Sequence, residues 1–241
     1  MTIDEFKIIK NVHEISNMNY RLLCLSYFFE SYAKETDLSD LVKQIPIPLG
    51  QNTGYQFSED LLEDMLKDIY NSTKMSLLTY CSLFNSIRNV AGAFREGFGD
   101  NTSRNPCSPE QMVFRNTFKT DIFIGDNERF ESFDGIVRFI RNVLSHNIED
   151  KIEIKKGDYE RQRNYWLNTK NKSIMQFEYD YNSRNSAIYI PKYKIKPSIN
   201  IDWNCVKDGD LFGNLISSPQ LFLFIEFCYN ASYFLFNRYK I

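Results

Sequence analysis

The apolar residues of this chain fall into several helical stripes and, in one late segment, into short alternating runs. From about Asn17 to Lys34, the residues Leu22, Leu23, Leu25, Tyr27, Phe28 and Phe29 make a helix apolar on more than one face, which predicts a central position. A short helical piece is expected near Leu38 to Lys43. The stretch Ile45-Pro46-Ile47-Pro48-Leu49-Gly50 breaks regular structure and leads through a polar loop to Ser58, which is suited to cap a short helix from Glu59 to Tyr70. Asn71-Ser72 would cap a longer helix to about Glu96, with Met75, Leu78, Phe84, Ile87, Ala91 and Phe94 on its apolar face. Gly97 to Asn105 reads as loop, because Gly97, Gly99, Asp100 and Asn101 supply turn chemistry.

A clear start signal comes next. Ser108 as cap, Pro109 at the first helical position and Glu110 in the first turn predict a helix to about Phe118. Asp126-Asn127-Glu128 introduces another, from roughly Arg129 to His146, where Ile136, Phe139, Ile140, Val143 and Leu144 form one apolar stripe at i, i+3, i+4, i+7 and i+8. After Asp150 the period changes. Lys151 to Ile154 alternates weakly, and Ile174 to Tyr179 mixes apolar and aromatic with polar residues. Ala187 to Ile195 alternates around Pro191, which demands an edge or a bulge, and Ser198 to Trp203 is extended. A turn at Gly209 to Gly213 precedes Ser217-Ser218-Pro219, which opens a last helix to about Tyr239. The expected fold is mainly α: an antiparallel helical bundle, a single domain over 1–241, with a small β-rich insertion over 149–204 before the C-terminal helix.

Composition narrows the function classes. With 43% apolar and 15% aromatic residues in 241, the chain can bury a substantial core. A net charge of -2 argues against holding nucleic acid through broad electrostatics and leaves a local basic site open. The five cysteines, Cys24, Cys81, Cys107, Cys205 and Cys228, are widely spaced and include no Cys-x-x-Cys pair, so neither a disulfide framework nor a zinc site is expected. The acidic start Met-Thr-Ile-Asp-Glu-Phe lacks the regions of a signal peptide, which predicts a cytoplasmic protein. Leu221 to Phe236 contains Glu226 and Asn230 and falls short of about 20 residues, so it reads as a buried helix and no membrane partner is expected. Phosphate-binding Gly-x-x-x-x-Gly-Lys, His-Glu-x-x-His and Gly-x-Ser-x-Gly patterns are absent from the sequence. The paired acids Glu59-Asp60 and Glu63-Asp64 read as a solvated helical face, and neither metal nor cofactor is expected.

The chemistry-bearing stretch is Phe139-Ile140-Arg141-Asn142-Val143-Leu144-Ser145-His146-Asn147, which sets one of two histidines five positions after an arginine. An imidazole exchanges protons near neutral pH, and a guanidinium neutralises charge on phosphate. Together they meet the needs of metal-free RNA cleavage. At about 100° per residue, Arg138, Arg141, Asn142 and Ser145 point away from the apolar stripe while His146 lies at its margin. Asn142 and His146 are one turn apart and can support each other. Arg141 and His146 diverge by about 140°, so either the helix end is distorted or two chains share a site. In the plainer reading these are a solvated arginine, a surface amide and a helix-terminal histidine favoured by the carboxyl-terminal dipole. His13 lies in a polar segment with no arginine before it and is expected at the surface.

The stretch Arg141, Asn142, three residues, His146 resembles the motif of the HEPN superfamily of small helical bundles, whose RNA-cleaving members carry Arg, four to six residues, then His, usually with a polar residue after the arginine. The resemblance covers this motif and a compatible helical layout, and the polar segment after the motif departs from the simplest members. It implies a homodimer whose motifs meet across a two-fold axis to make one metal-independent endoribonuclease site for single-stranded RNA, in a toxin or in anti-phage defence. His146 would act as general base or acid, Arg141 would stabilise the phosphorane, and Asn142 would orient the histidine or phosphate. Arg138, Ser145 and Lys151 are candidate RNA contacts. An antitoxin or other regulatory partner fits the same reading.

A second class remains: a noncatalytic helical scaffold that binds RNA or a partner protein through the insertion. There Tyr159, Tyr165, Trp166, Phe177, Tyr179 and Tyr181 interleave with Arg161, Arg163, Lys170 and Lys172, a composition compatible with stacking single-stranded bases. It is equally compatible with a small core of the insertion's own, which we favour for most of these rings.

Overall fold

In a computed structural model, residues 1–36, 47–50, 53–55, 59–73, 75–100, 102, 105–146, 152–178 and 198–240 are described, with backbone alone at 47–50, 53–55, 59–62, 65 and 146. They divide into two units, one formed by Met1–Tyr20 with Asn85–Ile241, the other by Arg21–Phe84. The chain is mainly helical, with a two-stranded antiparallel sheet before its C-terminal helices.

Helix α1 spans Ile3–Glu35, starting well before the expected Asn17. Thr2 and Glu5 cap it reciprocally, the Thr2 N–H donating to Glu5 Oε2 at 2.6 Å and the Glu5 N–H to Thr2 Oγ1 at 3.3 Å. Its early turns bury Ile9, Val12, His13 and Ser16, a helical stripe in which two of the four positions carry polar residues. That substitution is why the period is hard to read in the sequence. It also corrects the surface placement of His13, which is buried against Phe236, with ring centroids 4.7 Å apart, and has Nδ1 3.4 Å from Ser232 Oγ.

In the second unit, strands β1 (Ile47–Gly50) and β2 (Thr53–Tyr55) form an antiparallel ribbon where the two prolines suggested a break. A two-stranded ribbon has only edges, so Pro48 can sit in it without leaving a ladder carbonyl unpaired on a second side. Helix α2, Glu59–Asn71, follows, and Ala33, Leu66 and Ile69 form a buried cluster. Helix α3 spans Leu77–Phe98. The expected piece at Leu38 to Lys43, the cap at Ser58 and the run Ala187 to Ile195 lie outside the described residues.

The first unit is organised by aromatic rings. Helix α4 (Pro109–Thr117) opens on a capping box, in which the Ser108 N–H donates to Gln111 Oε1 at 2.9 Å and the Gln111 N–H to Ser108 Oγ at 3.3 Å. It runs into a π-helical turn, Phe118–Ile122, and helix α5 spans Asn127–His146. On α5 the ring of Phe133 lies 5.3 to 5.5 Å from those of Phe94, Phe118, Phe177, Phe224 and Phe227. Such spacing is that of offset and edge-on aromatic packing, which fixes α5 rigidly against α3 and its neighbours.

The segment 149–204 holds a helix that its polar composition hides. Helix α6, Lys156–Asn164, has a capping bond from the Lys155 N–H to Asp158 Oδ2 at 2.9 Å and buries little beyond Asp158 and Tyr159. A π-helical turn, Tyr165–Thr169, then buries Trp166. Strand β3 (Ile174–Glu178) pairs antiparallel with β4 (Ser198–Asp202), Met175 opposite Ile201 and Phe177 opposite Ile199. These four residues are fully buried, so this two-stranded sheet presents an apolar face to the core. A short helix α7, Phe212–Leu215, leads to α8, Ser218–Tyr239. In α8 the carboxylate of Glu226 is buried and accepts a bond from Tyr20 Oη at 3.0 Å. No helix among the described residues is long and apolar enough to cross a membrane.

Candidate functional site

Helix α5 carries all the motif residues, and its polar side borders two separate clefts. The first, of about 350 Å³, is lined by Ile15 and Asn19 of α1, Arg88, Asn89 and Glu96 of α3, and Arg141 and Ser145 of α5. Below it an amide ladder ties α1 to α3. Asn89 Nδ2 donates to Asn19 Oδ1 at 3.0 Å, Asn19 Nδ2 to Ile15 O at 2.8 Å, and Ser86 Oγ to Asn19 O at 3.1 Å. The Arg141 guanidinium has no carboxylate partner among the described residues. Ser145 Oγ donates to Arg141 O at 2.6 Å, so that hydroxyl is spent on the helix backbone.

The second cleft, of about 430 Å³, opens between α3, α5 and α6. Here Arg138 is held on three sides: Nε donates to Asp134 Oδ1 at 2.9 Å, one terminal nitrogen to Asp100 Oδ1 at 2.9 Å, and the other to Gly99 O at 2.5 Å. Arg115 donates to Asp134 Oδ2 at 3.1 Å and lies over the Phe98 and Phe130 rings. Arg95 reaches Asp100 Oδ1 at 3.2 Å. Three guanidinium groups thus share two carboxylates. Gly99 sits at φ +66°, where a side chain would be strained and would meet Gln111 and Cys107, so the turn that brings Asp100 to the arginines depends on glycine.

The charge crowding shows in the ionisation of the cluster. Burial lowers the Arg95 pKa, and Arg141, Arg138 and Arg161 lower it further against the opposing pull of Asp100. Burial alone would raise the Asp100 pKa, but the bond from Asn105 and the charges of Arg95 and Arg138 outweigh it and hold the carboxyl below its usual range.

Of the residues singled out in the sequence, Arg141 and Ser145 share one cleft, while Arg138 and Asn142 line the other. Asn142 Nδ2 donates to Asp158 O at 3.3 Å, tying α5 to α6. His146 is the last residue of α5, which is regular α-helix throughout, so the helix end is not distorted and positions 141 and 146 stay about 140° apart around its axis. Lys151 lies outside the described residues. Among the insertion's rings, Tyr159, Trp166 and Phe177 are buried and Tyr165 is exposed, while Tyr179 and Tyr181 lie outside the described residues.

Arg88, Arg95 and Arg115 escaped the sequence reading, which had Arg161 only among the insertion's basic residues. A signal existed for two of them: Arg88 and Arg95 are seven apart, hence on one face of α3. Comparison with protein-family models, curated proteins and solved structures finds no match.

Proposed function

We propose that the chain is a metal-independent endoribonuclease for single-stranded RNA, acting as a homodimer in a toxin or in anti-phage defence, with a regulatory partner such as an antitoxin. The observation that supports this reading is Arg141. Unlike Arg138 on the same helix, it has no carboxylate partner among the described residues, and it lines an open cleft with Arg88 of α3, on the helix that ends at His146. An uncommitted guanidinium is free to take a phosphate. Because the helix is unbroken, Arg141 and His146 of one chain are angularly separated, and pairing Arg141 of one copy with His146 of another meets that geometry.

In the proposed reaction the RNA 2'-hydroxyl attacks the adjacent phosphorus as its proton passes to a base. The bond from phosphorus to the 5' oxygen breaks, and that oxygen takes a proton, leaving a 2',3'-cyclic phosphate and a 5'-hydroxyl. His146 transfers protons, and Arg141 stabilises the phosphorane charge. Asn142, bonded to the Asp158 carbonyl, acts by holding α5 on α6. The test is cleavage of a defined single-stranded RNA in EDTA by wild type, Arg141→Ala and His146→Ala, matched by circular dichroism. The reading expects cyclic-phosphate products from wild type and a loss of about 10²-fold or more in each variant. Cleavage that survives in both folded variants would overturn it.

One observation favours the noncatalytic alternative, a scaffold that binds RNA or a partner protein. Arg141 and Asn142, adjacent in the motif, open into different clefts. A well-folded dimer that binds the RNA without cutting it would decide for that alternative.

A further inference from the structure

We propose that the cleft between α3, α5 and α6 is a binding site for a nucleoside monophosphate, with the phosphate against Arg161 and the shared arginine cluster and the base against Tyr165. The inference is independent of the nuclease reading, because it uses neither Arg141 nor His146.

The charge count comes first. Arg95, Arg115 and Arg138 divide Asp100 and Asp134 among them, and Glu131 at the rim is paired with Lys170. Arg161 has no ion pair among the described residues, and its side chain is exposed at the cleft wall. Among the described residues the cleft therefore carries two positive charges beyond its carboxylates. A phosphate monoester near neutral pH carries close to two negative charges, whereas an internal phosphodiester of RNA carries one, so the excess matches a monoester better than a passing strand.

Shape and polarity agree with the charge. A volume of about 430 Å³ falls in the range of small-molecule sites. The cluster is a built one: the Arg138 and Arg115 side chains are only 12% and 16% exposed, and their positions are fixed by carboxylates, a backbone carbonyl and two phenyl rings, so a ligand would not have to order them. The floor is Gly135, where a Cβ would come within 2.6 Å of Met175 Sδ and 3.4 Å of Trp166 Nε1. That indole N–H is buried and has no acceptor among the described residues. At the rim, Gln162 offers an amide, and the Tyr165 ring is 39% exposed, with Lys170 Nζ 5.8 Å from its centroid on one side and the other side left for a base.

The test is calorimetric titration of the full chain with adenosine 5'-monophosphate, uridine 5'-monophosphate, inorganic phosphate and adenosine at low salt. Saturable 1:1 binding of both nucleotides is expected, tighter than that of phosphate or adenosine. Arg161→Gln should weaken nucleotide binding about tenfold or more, while Arg88→Gln, the same charge change in the neighbouring cleft, should leave it unchanged. Tyr165→Leu should weaken nucleotide binding about fivefold or more and spare that of inorganic phosphate. No saturation at millimolar nucleotide, or equal loss in the Arg161 and Arg88 variants, would overturn the proposal. So would tight binding of a 5'-hydroxyl RNA that Arg161→Gln weakens while the nucleotides do not bind, which would make the cleft a strand groove. Cleavage assays on the same Arg161→Gln protein report separately on the nuclease reading, which expects activity to persist.

Discussion

Arg138 and Asp134 stand one turn apart on α5, and the guanidinium Nε donates to the carboxylate at 2.9 Å with both side chains 12% exposed. The same carboxylate holds Arg115 at 3.1 Å, so one acid on this helix anchors α5 to α4. Removing it would leave Arg115 with no carboxylate and Arg138 and Arg95 sharing Asp100 alone. Asp134→Ala is therefore expected to cost about 3 kcal/mol of stability, since an uncompensated buried charge costs far more than an ion pair gains. Urea unfolding monitored by circular dichroism would measure it, and a cost below about 1 kcal/mol would show that the pair is solvated.

Arg141, three residues further on, should behave in the opposite way. It has no carboxylate partner among the described residues, and it opens on a cleft rather than on the core. Arg141→Ala should change the unfolding free energy by no more than about 0.5 kcal/mol, the usual effect of a surface substitution away from a network. A loss of several kcal/mol would assign Arg141 a structural role and remove the main support for the proposed catalytic one.

His13 inverts the sequence expectation. Its ring lies 4.7 Å from Phe236, 5.7 Å from Tyr233 and 6.3 Å from Tyr229, so the α1 to α8 contact is built around it. His13→Ala should destabilise the protein by about 2 kcal/mol, the scale of a large-to-small change in a packed site, while leaving the proposed RNA cleavage by the folded protein intact. Thermal unfolding and the cleavage assay separate the two effects, and a silent substitution would return His13 to the surface.

His13 also shows where legibility ended. Helices whose stripes are apolar, such as α5 with Phe139, Ile140 and Val143, can be read directly, and so can the capped starts at Ser108 and Ser217. The first turns of α1 cannot, because histidine and serine occupy buried positions that a hydrophobic pattern leaves blank. Helix α6 fails for a related reason: Lys156 to Asn164 buries only Asp158 and Tyr159, so nearly the whole helix is polar. The Arg138 network is illegible for a third reason. Its carboxylate Asp100 sits in a loop, and its third partner is the backbone of Gly99, neither of which has a sequence spacing to recognise.

In the second unit, Glu30 is a pH-sensitive tie. It accepts bonds from the Ser76 N–H at 3.0 Å, Ser76 Oγ at 2.8 Å and Lys34 Nζ at 2.6 Å. Burial alone would raise its pKa, but the bonds from Lys34, Thr79 and Ser76 prevail and lower it from 4.5 to about 2. The folded state thus holds the proton less readily than the unfolded state. The stabilisation is complete above about pH 4.5 and is lost as pH falls toward about 2. It amounts to about 3 kcal/mol from a shift of this size. Glu30→Gln should lower stability at pH 6 and flatten its decline between pH 6 and 3, as read by urea unfolding at the two pH values. A decline as steep as that of wild type would assign the acid sensitivity to other carboxylates.

The proposed division of a nuclease site between two copies has its own test. Suppose the Arg141→Ala and His146→Ala proteins are each inactive, then mixed under conditions where protomers exchange. If the arginine of one copy works with the histidine of the other, the two-fold axis puts two such pairs in the composite site, and the mixed dimer regains one intact pair. Equal mixing makes about half of the dimers mixed, each with one working pair of two, so activity should recover to about a quarter of the wild-type level. If both groups act from a single chain, every chain in the mixture still lacks one of them and no activity returns. The unbroken run of α5 to His146 argues for recovery, since a straight helix keeps positions 141 and 146 about 140° apart. A mixture that exchanges protomers and stays inactive would place the whole reaction within one chain, and would require that α5 unwind at its end when RNA binds.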